Sequence, residues 1–455
     1  MKYQAYPDYK DSGVEWLGDV PEHWTVSKIK FIAPYQVGWT PPTKNDANFD
    51  GENLWANISD LRGKIIHDTA KKISDEAAKV ASMDITPGGS LLYSFKLSVG
   101  CVSFAGKDMY TNEAIASFLE GATLPLSYLY YVLPKFVIEN ASTNIYGARI
   151  LNQELISNAM LLAPSTQEAE KIANFLDHET AKIDTLIKKQ QQLIKLLKEK
   201  RQAVISHAVT KGLNPNVLMR DSGVEWLGEV PEHWSKSYLG FECSVKARLG
   251  WKGLKAEEYV ENGFIFLATP NIKELEIDFE NVNYITKKRY EESPEIMLEI
   301  GDVLVTKDGS TTGTTNVVKC LPSPSTVNSS IAVLRTIGRI NSLYLYFFFV
   351  STYTQNVIKC MQGGMGVPHL FQADLRKFNV LLPPTDEQLE IVTYIERRLP
   401  KFDELLEKIT QQITLLRERR TALISAAVTG KIDVRSWQAP EPLRSNNEIN
   451  KEEAA

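Results

Sequence analysis

The residues of this chain whose types could do chemistry are few and scattered. Its six histidines (His23, His67, His178, His207, His233 and His369) form neither an HxxxH nor an HExxH spacing, and Cys101, Cys243, Cys320 and Cys360 contain no CxxC pair. Metal ligation and a disulfide framework are therefore not expected. No stretch has the GxxxxGK spacing of a nucleotide-triphosphate loop, and no GxGxxG follows a strand pattern. "DGSTTGT" (308–314) bears glycines but reads as a strand-connecting turn, and "DEAAK" (75–79), with the residue types of a nuclease acid–acid–lysine set, reads as a turn of helix. No acyl-transfer constellation is apparent. What is left is recognition by side chains on loops where polar and basic groups cluster with small residues. The candidates are Asn57, Ser59, Arg62 and Lys64 in "NISDLRGK", Tyr146 and Arg149 in "YGAR", and Lys246, Arg248 and Lys252 in "KARLGWK". Thr269, Asn271 and Lys273 in "TPNIK", and Gln362 and His369 in "QGGMGVPH", complete the set. Arg to guanine, and Asn or Gln to adenine, are the pairings that would specify a DNA sequence. For any one of these residues, an exposed loop position is the simpler account.

The elements that would position such loops come in duplicate. "DSGVEWLGDVPEHW" (11–24) returns as "DSGVEWLGEVPEHW" (221–234), with 13 of 14 positions identical. A second repeat aligns 181–210 on 400–429 without a gap, 16 of 30 positions identical at an offset of 219. The order is box, insert, helical segment, and then the same three again, as duplication would produce.

In the helical segments, Ile183, Leu186, Gln190, Leu193, Leu197, Lys200 and Val204 step by alternating 3 and 4 residues, with Ile187 and Ile194 widening the stripe. The second copy gives Phe402, Leu405, Ile409, Gln412, Leu416, Arg419 and Leu423, widened by Leu406 and Ile413. Each run of ~28 residues would be about 42 Å long. A shorter helix is expected before each run, capped by Ser165 with Glu168 and by Thr385 with Gln388. Pro400 sits where a new helix could begin. The two inserts read as α/β modules. "GFIFLATPNI" (263–272) and "GDVLVTKDGSTTGTTNVV" (301–318) look like strands, and "SLYLYFFFVSTYTQNVIKC" (342–360) like a buried helix. "YTNEAIASFL" (110–119) answers "TVNSSIAVLR" (326–335), pairing Asn112 with Asn328.

The 455 residues suffice for two or three cores. A net charge of −5 is unlike a simple nucleic-acid binder, so any DNA contact must rest on local charge or on a partner. The first long helical run does have a basic face, with eight Lys or Arg against two acids over 182–211. The start "MKYQAYPDYK" lacks the apolar run of a secretory signal. The most apolar window, 343–350, is too short to span a bilayer, so no membrane partner is expected. With its unpaired cysteines the chain fits a reducing cytoplasm.

In this order and duplicated, "SGVEWLGDVPEHW" and its repeat, "GDVLVTKDGS", "LLPPTDEQLEIVTYI", the long helices and "ALISAAVTGKID" (422–433) resemble the specificity subunit of type I restriction–modification systems, over nearly the whole chain. The resemblance implies an α/β (α+β) fold with an internal pseudo-two-fold repeat, in which two similar target recognition domains are separated by two long antiparallel coiled-coil helices. The implied order is an N-terminal box (1–24), recognition domain 1 (25–163), spacer 1 (164–212), linker and second box (213–234), recognition domain 2 (235–382), spacer 2 (383–432), and a polar tail read as disordered (433–455). It implies a non-catalytic subunit that reads an asymmetric bipartite site in double-stranded DNA, its helices setting the unread spacer. Two modification subunits using S-adenosylmethionine would dock on it, and two restriction subunits would add ATP- and Mg-dependent translocation and cleavage. No cofactor is expected in this chain itself. Candidate partner-docking residues are Glu15, Trp16 and Trp24, with Glu225, Trp226 and Trp234. The alternatives are a scaffold of a methylation-only or other phage-defence complex, or a coiled-coil adaptor that binds proteins instead of DNA.

Overall fold

Each repeated box ends on a tryptophan followed by a strand, and that strand closes the insert. Thr25–Lys28 pairs antiparallel with Met160–Ala163, and Ser235–Tyr238 pairs in the same way with Asn379–Leu382. Entry and exit of each insert are thus stitched together immediately before a long helix. The coordinates are a computed structural model describing residues 3–96, 98–143, 149–224, 227–248, 254–361 and 369–439. The chain divides into two units, Met1–Lys189 with Gln412–Ala455, and Gln190–Gln411.

The inserts share one strand order. In the first unit a sheet runs Tyr35–Val37, Ile115–Phe118, Leu91–Ser94, Val102–Ala105, Ile65–Ile66, beside a three-stranded sheet Tyr110–Thr111, Asn53–Ala56, Lys71–Ile73. In the second unit the corresponding sheets run Cys243–Lys246, Ile331–Thr336, Val303–Thr306, Thr315–Val317, and Ser325–Val327, Phe264–Leu267, Asn283–Ile285. The central strands Leu91–Ser94 and Val303–Thr306 are buried throughout, as strands covered on both faces must be. Asn112 and Asn328 occupy one turn of this fold. The Asn112 amide donates to Ala56 O at 3.0 Å and the Asn328 amide to Leu267 O at 2.9 Å. Each side-chain oxygen then accepts at 3.1 Å from the amide two residues on, Ala114 and Ser330. The apolar 342–360 stretch is two helices, Ser342–Val350 and Thr352–Met361, broken at the fully buried Ser351.

The long helices differ from expectation in three ways. Each is a single element, Thr166–Lys211 and Thr385–Val428, that absorbs the separate shorter helix expected at its start. Pro400 lies inside the second, which continues through it because apolar residues are buried on both sides, Ile391, Val392 and Ile395 before and Ile409 and Ile413 after. Such a proline costs ~3 kcal/mol in an unsupported helix. The buried stripe is also offset from the predicted seam. Ile187 and Ile194 lie inward of Leu186 and Leu193, which are exposed, and Leu405 is exposed while Leu406 is half-buried. Adjacent apolar residues fit the same 3–4 spacing, so periodicity alone does not choose between them.

Within the first unit the helices run antiparallel. Ala169, Ile172 and Leu176 share a core with Ala427 and Val428, while Asp184 bonds Arg420 further along. The second unit repeats this with Ile205, Ala208 and Val209 against Ile391, Val392 and Ile395, and Arg201 on Asp403. Residues 433–439, expected in the polar tail, fold onto the first unit. Val434 is buried, the Trp437 ring meets Phe175 at 5.6 Å, and the Asp433 amide donates to Gln4 O at 2.8 Å.

Candidate nucleic-acid interface

The box is held by a carboxylate in the first turn of each long helix. Glu168, 5% exposed, accepts from Trp24 Nε1 at 3.1 Å and Tyr6 Oη at 2.7 Å, and pairs with His23 Nε2 at 2.9 Å. In the second unit Glu387 accepts from Trp234 Nε1 at 3.0 Å and pairs with His233 Nε2 at 2.7 Å. Burial and the Glu168 bond push the Tyr6 hydroxyl far above its ordinary pKa, so it stays a donor. The Ser165 hydroxyl does cap the Glu168 amide at 3.3 Å, but the carboxylate serves the box instead of closing a capping box. Gln388 is likewise diverted. It is fully buried, accepts from the Asn341 amide at 2.8 Å and donates to Arg339 O and Pro383 O, both at 2.9 Å.

The C-terminal ends of the long helices close on the same tryptophans. Gly430 (φ +70°) packs where a Cβ would lie 2.3 Å from Pro21 Cδ and 3.4 Å from Trp24. Gly212 (φ +77°) does the same 3.3 Å from Trp234 and 3.1 Å from Glu387. Trp24 and Trp234 are therefore interior residues, which removes their side chains from the proposed docking surface. Trp16 and Glu15 are exposed, Trp16 at 39%. Glu225 and Trp226 lie outside the described residues.

The recognition candidates fall into two equivalent turns and several separate sites. Asn57 caps the 3-10 turn Ile58–Asp60, its oxygen accepting from the Ser59 amide at 2.7 Å, and Arg62 Nε donates to Ser59 O at 2.7 Å. Thr269–Asn271 is the same turn after the matching strand of the second insert. Asp60 and Asn271 play one role, accepting from the backbone amides of Asn57 at 2.9 Å and Ala268 at 2.8 Å. Asn271 is 5% exposed and its amide also donates to Asn281 O at 2.8 Å, so it shapes the turn from inside. Ser59, Arg62 and Lys273 are exposed and Thr269 is half-exposed; Lys273 pairs with Asp278 at 2.9 Å.

The others lie elsewhere. Lys64 pairs with Asp177 on the first long helix, and Arg149 reaches Ile138 O at 3.2 Å and Glu139 at 3.4 Å. Lys246 is exposed at the end of its strand. Arg248 is 3% exposed and turned inward, onto Val327 O at 3.2 Å, Ser293 at 3.3 Å and Thr326 at 3.4 Å. Burial, reinforced by Arg289, pulls its pKa below the usual guanidinium value. Arg248 and Asn271 are spent on internal partners. His369 bonds Asp308 through Nδ1. Asp308, at the tip of the Val303–Thr306/Thr315–Val317 hairpin, is a charged group the sequence reading passed over as part of a turn. The first insert has a matching hairpin, and Gly100 and Gly313 share φ +92°. Tyr146, Lys252 and Gln362 lie outside the described residues. Among the described residues no three His, Cys, Asp or Glu side chains form a metal set, and no helix is long and apolar enough to cross a membrane.

Two modules of like strand order, each fastened through its box to the start of a long helix, thus differ in the residues of their equivalent turns. The chain belongs to the type I restriction modification DNA specificity domain family, whose model matches residues 21–196 and 251–415. It is the DNA specificity subunit of a type I restriction–modification system, the non-catalytic member of that assembly. It is similar to the MjaIX specificity subunit of Methanocaldococcus jannaschii, 22% identical over 441 residues, which covers 95% of this chain and 98% of that one. It is also similar to the EcoKI specificity subunit of Escherichia coli K12, 22% identical over 455 residues, covering 93% and 92%. Among solved structures, a chain from work on complex assembly and conformational transition of the type I R-M system has a TM-score of 0.70 at 14% identity, covering 91% of this chain and 99% of that one. The HsdS subunit of Thermoanaerobacter tengcongensis has a TM-score of 0.52 at 15% identity, covering 91% and 98%. These support the fold.

Proposed function

We propose that each insert reads one half of an asymmetric bipartite site in double-stranded DNA, and that the long helices set the unread spacer. The observation that carries this reading is the pair of equivalent turns, Ile58–Asp60 and Thr269–Asn271, built alike but presenting Ser59 and Arg62 in one insert and Thr269 and Lys273 in the other. One fold with two side-chain sets suits two different half-sites. Arg62 supplies a guanidinium whose terminal nitrogens have no partner among the described residues, and Lys246 a cation for phosphate. Helices of 46 and 44 residues, each contributing to both units, suit a spacer of fixed length.

Two modification subunits carrying S-adenosylmethionine methylate adenine in this reading, and two restriction subunits supply ATP- and Mg-dependent cleavage in the cytoplasm. They also supply grip on phosphate that a chain of net charge −5 lacks. The test is a modified-base map of DNA from cells expressing the modification subunit with and without this chain. A split motif methylated only with the chain present is expected, and exchanging one insert changes one half-site only. A competent methylase in complex with the chain, yet no chain-dependent motif, refutes the reading.

A further inference from the structure

A one-turn helix follows each repeated box, Ile29–Ile32 in the first unit and Leu239–Glu242 in the second. Their first residues, Ile29 and Leu239, are fully buried, which fixes the turn against the core. Two positions on, Phe31 is 69% exposed and Phe241 is 74% exposed. The turns read IKFI and LGFE, so the outward residue is the one position identical in both. A single exposed aromatic needs no explanation. The same aromatic, equally uncovered on the same turn of two halves whose other residues have changed, needs one.

The charged side chain placed beside the Phe31 ring is cationic. Lys30 Nζ stands 5.2 Å from the Phe31 ring centroid, and Lys28 and Lys30 share Asn158 Oδ1 at 3.5 and 3.2 Å. On the Phe241 side the Arg376 guanidinium donates to Val245 O at 3.4 Å, and Tyr238 meets the Phe241 ring at 5.9 Å. The adjacent acid, Glu242, is 2% exposed and paired with Arg339 at 2.6 Å. An exposed phenylalanine complements an apolar pocket, which a protein surface offers and a phosphate backbone does not. An asymmetric DNA site also gives no reason for the same ring in both halves.

We infer that Phe31 and Phe241 are equivalent anchors that each seat one copy of the same protein, the modification subunit, in an apolar pocket. This rests on the functional reading above, which supplies the partner. Both rings are exposed, so truncation leaves the core intact.

The test is native mass spectrometry and titration of the full chain with its purified modification subunit, using wild type, Phe31→Ala, Phe241→Ala and the double variant. Wild type binds two copies. Each single variant binds one copy normally and the other on the order of 30-fold more weakly, and the double variant loses both. Thermal midpoints of all four agree. A double variant that still binds two copies within about twofold of wild-type affinity overturns the inference while the functional reading stands. So does a loss confined to DNA binding, or to self-association of the chain. A wild-type chain that binds no modification subunit overturns both.

Discussion

Arg420 bonds Asp184 through Nε–Oδ1 at 2.9 Å and Nη2–Oδ2 at 3.3 Å, and this pair is the image of Arg201 on Asp403 at 3.2 Å. Each arginine lies one residue beyond an expected seam position, Lys200 and Arg419. They mark which stripe of each helix faces the other. The pairs are one-fifth to one-half exposed, so each contributes only ~0.5 kcal/mol after solvent screening. Arg420→Asp sets like charges together and costs about 1 kcal/mol, and Asp184→Arg in the same chain recovers most of it. Urea denaturation of the two single variants and the double variant measures the coupling, and purely additive effects would exclude it.

The two carboxylate clamps are unequal. Glu168→Ala strands the Trp24 Nε1–H and the Tyr6 hydroxyl in the interior, while Glu387→Ala strands only the Trp234 donor and a half-exposed His233. The expected losses are about 3 and about 2 kcal/mol. Chemical denaturation followed by tryptophan fluorescence reads both. Losses below about 0.5 kcal/mol would remove the clamps from the account of how the boxes are held.

Two glycines separate backbone strain from collision. Gly18 has φ +63° with no neighbour within 4 Å of an added Cβ, so Gly18→Ala costs about 1 kcal/mol from the left-handed backbone alone. Gly430→Ala adds an overlap with Pro21 and should cost about 3 kcal/mol. Comparing thermal midpoints of the two variants decides the matter, and equal shifts would mean that the helix end does not pack as described.

Within the recognition inserts, burial divides the basic residues by effect. If the proposed reading holds, Lys246→Ala is expected to weaken binding to all DNA sequences and lower the salt slope by about 1, and Arg62→Ala to relax the preference at one base pair by about 1–3 kcal/mol. Arg248→Ala instead lowers the stability of the second unit, because its bonds to Val327, Ser293 and Thr326 are internal. Binding titrations at several salt concentrations, paired with melting curves, assign each residue. A changed base preference in a stable Arg248 variant would contradict the inward placement.

Burial, with a smaller push from Glu242, raises the Cys243 thiol to about 12. Cys320 and Cys360 are exposed. A thiol reagent at about pH 7.5 therefore reacts quickly at the two exposed cysteines and reaches Cys243 only on unfolding. Peptide mapping of the labelled protein shows which sites react; fast labelling of Cys243 in the folded chain would contradict its burial.

The sequence carried the plan of this fold further than its details. A near-identical box 210 residues apart and a helix repeated without a gap 219 residues apart are long signals, and Asn112 and Asn328 matched because an Asn-capped turn leaves a short fixed pattern. The seam is ambiguous because Leu186–Ile187 and Leu193–Ile194 offer two apolar stripes of the same period; the choice is made by packing between distant segments, as of Ile205 with Ile391 and Ile395, which no local window contains. Glu168 and Gln388 fitted a local capping rule, yet their partners Trp24 and Asn341 are distant in sequence. Among the candidates for recognition, Arg248 and Ser59 are both polar residues in loop-like stretches. Only the fold shows that one faces Phe266 and the other faces solvent.

The second unit is a continuous stretch of chain, Gln190–Gln411, whereas the first is assembled from two stretches that flank it. Ala427, Val428, Ile432 and Val434 belong to the same core as Trp24 and Phe175. On the ribosome, the module encoded second can therefore finish its core while the module encoded first is still waiting for a wall. The first insert emerges earliest and matures last, when residues 412–439 arrive to close on the box that began the chain. A stalled or shortened translation product would carry one finished reader and one open one, and the open one is the N-terminal module.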